Sequence, residues 1–171
     1  RMAKKTSLRD FQTYLAERLK SAAQGRAASS WLGVLAGDTH WLIELADSGE
    51  IIQAPKLTQV PLTQTWFAGI ANIRGNLHAV ADFSMFCGGG PTARNNNARL
   101  LLVGTRHSAN ASLLVSRMLG LKNPEDFTEE AADPAAVAWE VARFSDTQGR
   151  IWRKLSVRAL LDNHEFMNIG V

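Results

Sequence analysis

From Trp31 onward the apolar residues recur at the two-residue period of strands, in short runs parted by turn residues. No other feature of the chain constrains its fold as much. "WLGVLAG" (31–37) meets the turn residues Gly37-Asp38 and is followed by "HWLIELA" (40–46). There Trp41, Ile43 and Leu45 share one face and Glu44 takes the other. "EIIQAP" (50–55) and "KLTQVPL" (56–62) come next, with Pro55 and Pro61 limiting both to edge or terminal strands. "TWFAGIANI" (65–73) and "NLHAVADF" (76–83) flank Arg74-Gly75. Further runs follow at "LLLVGT", "ASLLVSRMLGL", "VAWEVARF" and "RIWRKL", with an acidic loop, "NPEDFTEEAADPAA", before the last two. Short strands spaced this way build a small barrel or sandwich, not alternating βαβ units.

Two stretches repeat the same design. "GNLHAVADFSMFC" (75–87) aligns with "GRIWRKLSVRALL" (149–161). The alignment sets Gly75 on Gly149, Leu77 on Ile151, Asp82 on Ser156, Phe83 on Val157 and Phe86 on Leu160. Each copy reads strand, glycine turn, strand, N-cap, short helix. The glycines suit a turn position of positive φ, and Asp82 and Ser156 are N-cap acceptors worth about 1 kcal/mol each. Between the copies lies "GGGPTARNNNAR" (88–99), a connector with nothing to bury. The expected architecture is two similar barrels in tandem over residues 31–162. Before them stand a helix and hinge (1–30), and after them a frayed tail (163–171). The helix spans 7–24, opened by Ser7 with Asp10 and closed by Gly25; Leu8, Phe11, Leu15, Leu19 and Ala22 form its apolar face.

Several functional classes find no support. The histidines at 40, 78, 107 and 164 lack any zinc spacing, so no metal is expected. Cys87 has no base near it in sequence and reads as a packed or partly exposed thiol; one cysteine excludes an internal disulfide and fits a reducing cytosol. "GGGPTARNNN" lacks the Gly-Lys-Ser/Thr ending of a phosphate loop, and "SDTQG" offers one carboxylate without a partner for acid–base work. No catalytic residues and no cofactor are expected. A net charge of +3 and pI of 9.4 raise nucleic-acid binding by a small barrel as an alternative. The basic residues are scattered, however, the richest patches being Lys4-Lys5 and Arg150, Arg153, Lys154 and Arg158, the latter beside Trp152. A solvated strand face explains that group, so no nucleic acid is expected. No apolar run approaches the ~18 residues that span a bilayer, so membrane insertion is not expected. Of the five tryptophans most are core, with Trp66-Phe67 and Trp152 chosen as partner-interface anchors.

At "NIRG" (72–75) followed by "AVADFSMFCG" (79–88) the chain resembles the CheW-like chemotaxis coupling proteins, with their Asn-Leu-Arg-Gly element and apolar strand ending in Asp. "WLIELADSGEII" (41–52) is similar to the preceding family strand, which carries an acidic residue near its end. The N-terminal helix and "LLVSRMLGL" lean toward the PilI-type branch, from chemosensory systems of type IV pili and twitching motility. The resemblance implies an all-β fold of two five-stranded, SH3-like barrels sharing a hydrophobic core. It implies no catalytic activity, but a scaffold joining the cytoplasmic tip of a methyl-accepting chemoreceptor to the regulatory domain of a CheA-like histidine kinase. A flagellar chemotaxis adaptor is the alternative within the family. Arg74 is then expected to pair with Glu50, and with Asp47 and Ser48 to shape a receptor-binding groove. Asn72, Gly75, Asp82, Gly149 and Ser156 are expected to be structural. The protein would be cytoplasmic and recruited to membrane-associated receptor arrays.

Overall fold

The computed structural model describes residues 30–103 and 110–170; the helix expected at 7–24 lies outside them. Among the described residues, eleven strands form two sheets. The strands are β1 (Trp31–Ala36), β2 (Thr39–Glu44), β3 (Ser48–Gln53), β4 (Phe67–Ile73), β5 (Asn76–Asp82), β6 (Arg99–Val103), β7 (Ala111–Val115), β8 (Arg117–Lys122), β9 (Thr128–Glu130), β10 (Glu140–Ser145) and β11 (Ile151–Leu155). Short helices follow β5 (α1, Phe83–Phe86) and β11 (α2, Val157–Leu161), and a third (α3, His164–Met167) lies near the C-terminus. One sheet runs β8-β1-β2-β11-β10-β9 and the other β3-β6-β7-β5-β4.

The sequence repeat is real in three dimensions. Gly75 (φ +85°) and Gly149 (φ +81°) both take the left-handed conformation. Asp82 caps α1 by accepting from the Met85 N–H, and Ser156 caps α2 by accepting from the Ala159 N–H at 3.1 Å. Phe83 and Val157, aligned in the repeat, are both fully buried.

The arrangement of the copies departs from a tandem. Pairing equates β1 with β6, β2 with β7, β3 with β8, β4 with β10 and β5 with β11. In each sheet the second strand of one copy's first hairpin lies parallel to the final strand of the other copy: β2 beside β11, and β7 beside β5. β3 likewise pairs with β6, and β8 with β1. Each barrel therefore takes strands from both halves of the chain. The connector at 88–99 does not separate two barrels; it joins α1 to β6, whose strands lie in one sheet.

Strict alternation divides the interior into three cores. On β6, Leu101 and Val103 face a core shared between the sheets, while Leu100 and Leu102 face the interior of their own barrel. On β2, Trp41 and Ile43 join the shared core and Leu42 packs with Trp31 and Trp152 inside the other barrel. Both faces are covered, which is why "LLLV" is an unbroken apolar run rather than an alternating one. The shared hydrophobic core expected from the sequence is present.

Four local expectations are corrected. "KLTQVPL" is not a strand: Thr58 alone bridges Ile70, exchanging two backbone hydrogen bonds of 2.9 Å. Because this segment continues from β3 and reaches β4, it closes the barrel across the two sheet edges. Gly69 (φ +133°) permits the crossing, since a Cβ there would lie 2.6 Å from the Thr58 carbonyl oxygen. The acidic loop carries β9, which gives the first sheet six strands instead of five. The connector is anchored: Thr92 and Ala98 are buried, and Asp82 accepts from the Thr92 N–H (2.8 Å) and Oγ1 (2.6 Å). The tail is not frayed. Phe166 is buried, and Gln64 N–H donates to the Ile169 carbonyl at 2.7 Å.

Candidate partner-binding surface

The turn between β4 and β5 holds Arg74 (φ +53°) and Gly75, both left-handed, as a two-residue type I′ hairpin turn demands. Asn72 Oδ1 accepts from the Gly75 N–H at 2.9 Å and braces the turn. Gly, which lacks a Cβ, and Asn, whose short polar side chain can bond the local backbone, are the usual occupants of the first central position. The Arg74 guanidinium reaches Glu50 on β3 with two contacts, Nη1 to Oε2 at 2.8 Å and Nη2 to Oε1. Both side chains remain open to solvent, at 67% and 44% exposure. The hydrogen bond from Arg74, aided by its charge, holds the Glu50 carboxyl below its ordinary pKa and raises that of Arg74.

Ser48 stands at the start of β3, where its hydroxyl donates to the Leu45 carbonyl at 3.0 Å, and the Asp47 N–H donates to the Glu44 carbonyl at 2.9 Å. The turn is thereby fixed just upstream of Glu50. The four residues expected to form a groove thus lie on the β2–β3 turn, β3 and the β4–β5 turn. The Arg74–Glu50 pair is present as expected.

The aromatic anchors divide. Trp152, 3% exposed, is interior: it packs edge-on to Phe127 and His40, and its indole N–H donates to Asp146 at 2.9 Å. That bond, helped by the backbone N–H groups of Arg150 and Gln148, holds Asp146 below its usual carboxylate range. Trp152 is barrel core, not an anchor, because its alternation on β11 turns it inward. Trp66 and Phe67 line an apolar cleft of about 120 Å³ together with Ala79, Ala111, Phe166 and Met167. Phe67 is itself buried and Trp66 half-buried, stacked on Phe166 with ring centroids 5.9 Å apart.

Three of the four grouped basic residues meet carboxylates. Lys154 Nζ lies 2.9 Å from Glu44, Arg153 lies 3.6 Å from Glu140 and Arg158 lies 3.5 Å from Asp162. These three basic residues are therefore partly neutralised by carboxylates on the same surface. Cys87 presents part of its surface to solvent, yet burial around its sulfur pushes the thiol up to about 11. That is opposite to the activation of a nucleophile. Among the described residues no cluster of three or more His, Cys, Asp or Glu could hold a metal, and no helix is long and apolar enough to cross a membrane.

Sequence reasoning missed Thr92, whose partnership with Asp82 has no local signature, and Phe166, a lone aromatic in a polar tail. It also missed the cleft, since Ala79, Ala81 and Ala111 meet only through the parallel pairing of β5 with β7.

The CheW-like domain model matches residues 30–165, and the chain belongs to that family of coupling adaptors. It is 28% identical over 155 residues to Protein PilI of Pseudomonas aeruginosa, covering 87% of this chain and 85% of that one. The scaffolding protein TtCheW from Thermoanaerobacter tengcongensis shares the fold, with a TM-score of 0.64 and 18% identity, over 74% of this chain and 83% of that structure.

Proposed function

We propose that this protein is a non-enzymatic adaptor of a chemosensory system controlling type IV pili and twitching motility. In this reading it joins the cytoplasmic tip of a methyl-accepting chemoreceptor to the regulatory domain of a CheA-like histidine kinase. It works in the cytoplasm, recruited to receptor arrays at the membrane. The observation that carries the reading is Arg74: an exposed arginine in a left-handed turn position, clamped by Glu50 from the other sheet edge. A turn needing only closure is better served by Asn or Gly; the retained side chain supports a recognition role. Asp47, Ser48, Glu50 and Arg74 form the receptor-facing patch. The pilus branch is favoured by the likeness to Protein PilI.

Such an adaptor acts by geometry. It shifts the kinase between states only so far as it contacts those states unequally. A pull-down of the folded protein with a CheA-like regulatory domain and a receptor tip tests the reading. Capture of both supports it, and capture of neither removes it.

A further inference from the structure

The second copy of the glycine turn cannot form the Arg74–Glu50 pair. Leu32 and Leu101 hold equivalent places in the two copies. Each pairs with a residue, Ile43 or Leu113, whose parallel neighbour, Leu155 or Ala81, directly precedes an N-cap. Leu121 on β8 pairs with Leu32 as Ile51 on β3 pairs with Leu101. Gly120 therefore stands where Glu50 stands, and Gln148 precedes Gly149 as Arg74 precedes Gly75. The side chains that clamp one barrel mouth are missing from the other. In their place a cavity of about 390 Å³ opens between the end of β8 and the β10–β11 turn, within the size range of small-molecule sites.

The floor of this cavity is fixed. Trp152 is pinned by Asp146 at 2.9 Å, and its ring meets the His40 ring edge-on with centroids 5.0 Å apart. Phe127 adds a second aromatic wall, its ring 5.7 Å from that of Trp152. Two cations line the same space: Lys122, whose Nζ lies 5.4 Å from the Trp152 ring centroid, and Arg150 on the turn. Among the described residues neither forms an ion pair with a carboxylate. Asp146 is already engaged: its Oδ1 accepts from the backbone N–H groups of Gln148 (2.8 Å) and Arg150 (2.9 Å), and its Oδ2 from Trp152. Asp126, exposed at the rim, is the other carboxylate in the lining. His40 titrates below its ordinary value, first through burial and then through Arg150 and Lys122, whose charges outweigh that of Asp146 at the ring. The field over the floor is positive.

We propose that this second barrel mouth binds a small phosphate-bearing molecule, its phosphate between Lys122 and Arg150 and its body against Phe127 and Trp152. A phosphate monoester carries about −1.5 to −2 charges at neutral pH, so it answers both cations where a carboxylate answers one. Lys and Arg together suit such a group, one as a point charge and the other as a fork of donors. The cavity is larger than a phosphate alone, which leaves room for an organic body on the aromatic side. The inference does not rest on the adaptor reading, since no receptor or kinase contact enters it.

Nitrogen-15 NMR of the full chain, titrated with phenyl phosphate and separately with benzoate and sodium chloride at matched ionic strength, tests it. Saturable shifts at the Trp152 indole, the Gln148 amide and His40 are expected with phenyl phosphate, at an affinity at least about tenfold above that for benzoate. The His40 titration should also move upward on saturation, because a bound negative charge favours the imidazolium. Arg150→Gln and Lys122→Gln, each with a parent-like spectrum away from the cavity, should weaken binding at least about fivefold. No saturable shift, benzoate bound as tightly, the same shifts from sodium chloride, an unmoved His40 titration, or parent-like affinity in both variants would overturn the assignment.

Discussion

Arg74 and Glu50 come from opposite ends of the strand order β3-β6-β7-β5-β4, and their side chains meet in a two-point contact. The pair crosses the same seam that the Thr58–Ile70 bridge closes in the backbone. A single exposed pair of this kind adds little to stability. Its value lies in fixing where a guanidinium and a carboxylate stand on the surface.

Replacing Arg74 by Ala should leave the melting temperature within about 2 °C of the parent, since an exposed pair contributes little. Replacing it by Gly should hold or raise that temperature, because the left-handed turn no longer carries a Cβ. Both variants should bind a receptor tip at least about tenfold more weakly, one broken charge-assisted contact being enough for such a change. Calorimetry of unfolding and of binding, run on the same samples, separates the two effects.

The Glu50 carboxyl titrates below its ordinary value because Arg74 hydrogen-bonds its charged form. A depressed folded-state pKa means the pair's contribution is complete above the unfolded carboxyl value of 4.5 and disappears as pH falls through the folded value. Side-chain carbon NMR should show the Glu50 titration moving upward in Arg74→Ala. An unmoved titration would mean that Arg74 is not what holds the carboxylate.

Asp82 links α1 to the connector through Met85 and Thr92. Asp82→Ala removes an N-cap and leaves the buried Thr92 donors unsatisfied, and should cost about 2–4 kcal/mol in urea unfolding. Combined with Thr92→Val, the loss should be less than the sum of the two single changes, because both remove the bond between the Thr92 hydroxyl and Asp82.

Trp152→Ala should cost about 3–5 kcal/mol, as expected for an aromatic emptied from a packed core. Kinase binding by the fraction still folded should be unaltered, which marks Trp152 as structural. Cys87 should react with iodoacetamide at pH 8 on the order of 100-fold more slowly than an unperturbed thiol, given a pKa near 11.

Much of this was readable in the chain, and the reasons differ by element. The repeat around Gly75 and Gly149 was legible because turn conformation and N-capping are set within a few residues. Arg74 and Glu50 could be paired only through the family likeness, since 24 positions separate them and no local rule brings β3 to the β4–β5 turn. The interleaving of the halves was invisible. A strand's alternation says which face is buried, but not whose hairpin covers it. Trp152 was misjudged for a related reason: next to three basic residues it reads as a surface aromatic, and only its pairing with Phe144 across β10–β11 turns it inward. "KLTQVPL" has strand-like composition, yet Pro55 before it and Pro61 within it leave a single bridge at Thr58.

The central proposal is that the protein joins a receptor to a kinase, with Arg74 in the receptor-facing patch. Titration calorimetry of the full-length protein with a receptor tip and a CheA-like regulatory domain, singly and together, tests this most directly. The account predicts that all three components assemble, and that Arg74→Ala loses the receptor while keeping the kinase. A folded Arg74→Ala protein that holds the receptor as tightly as its parent, or a folded parent that binds neither partner, would contradict it.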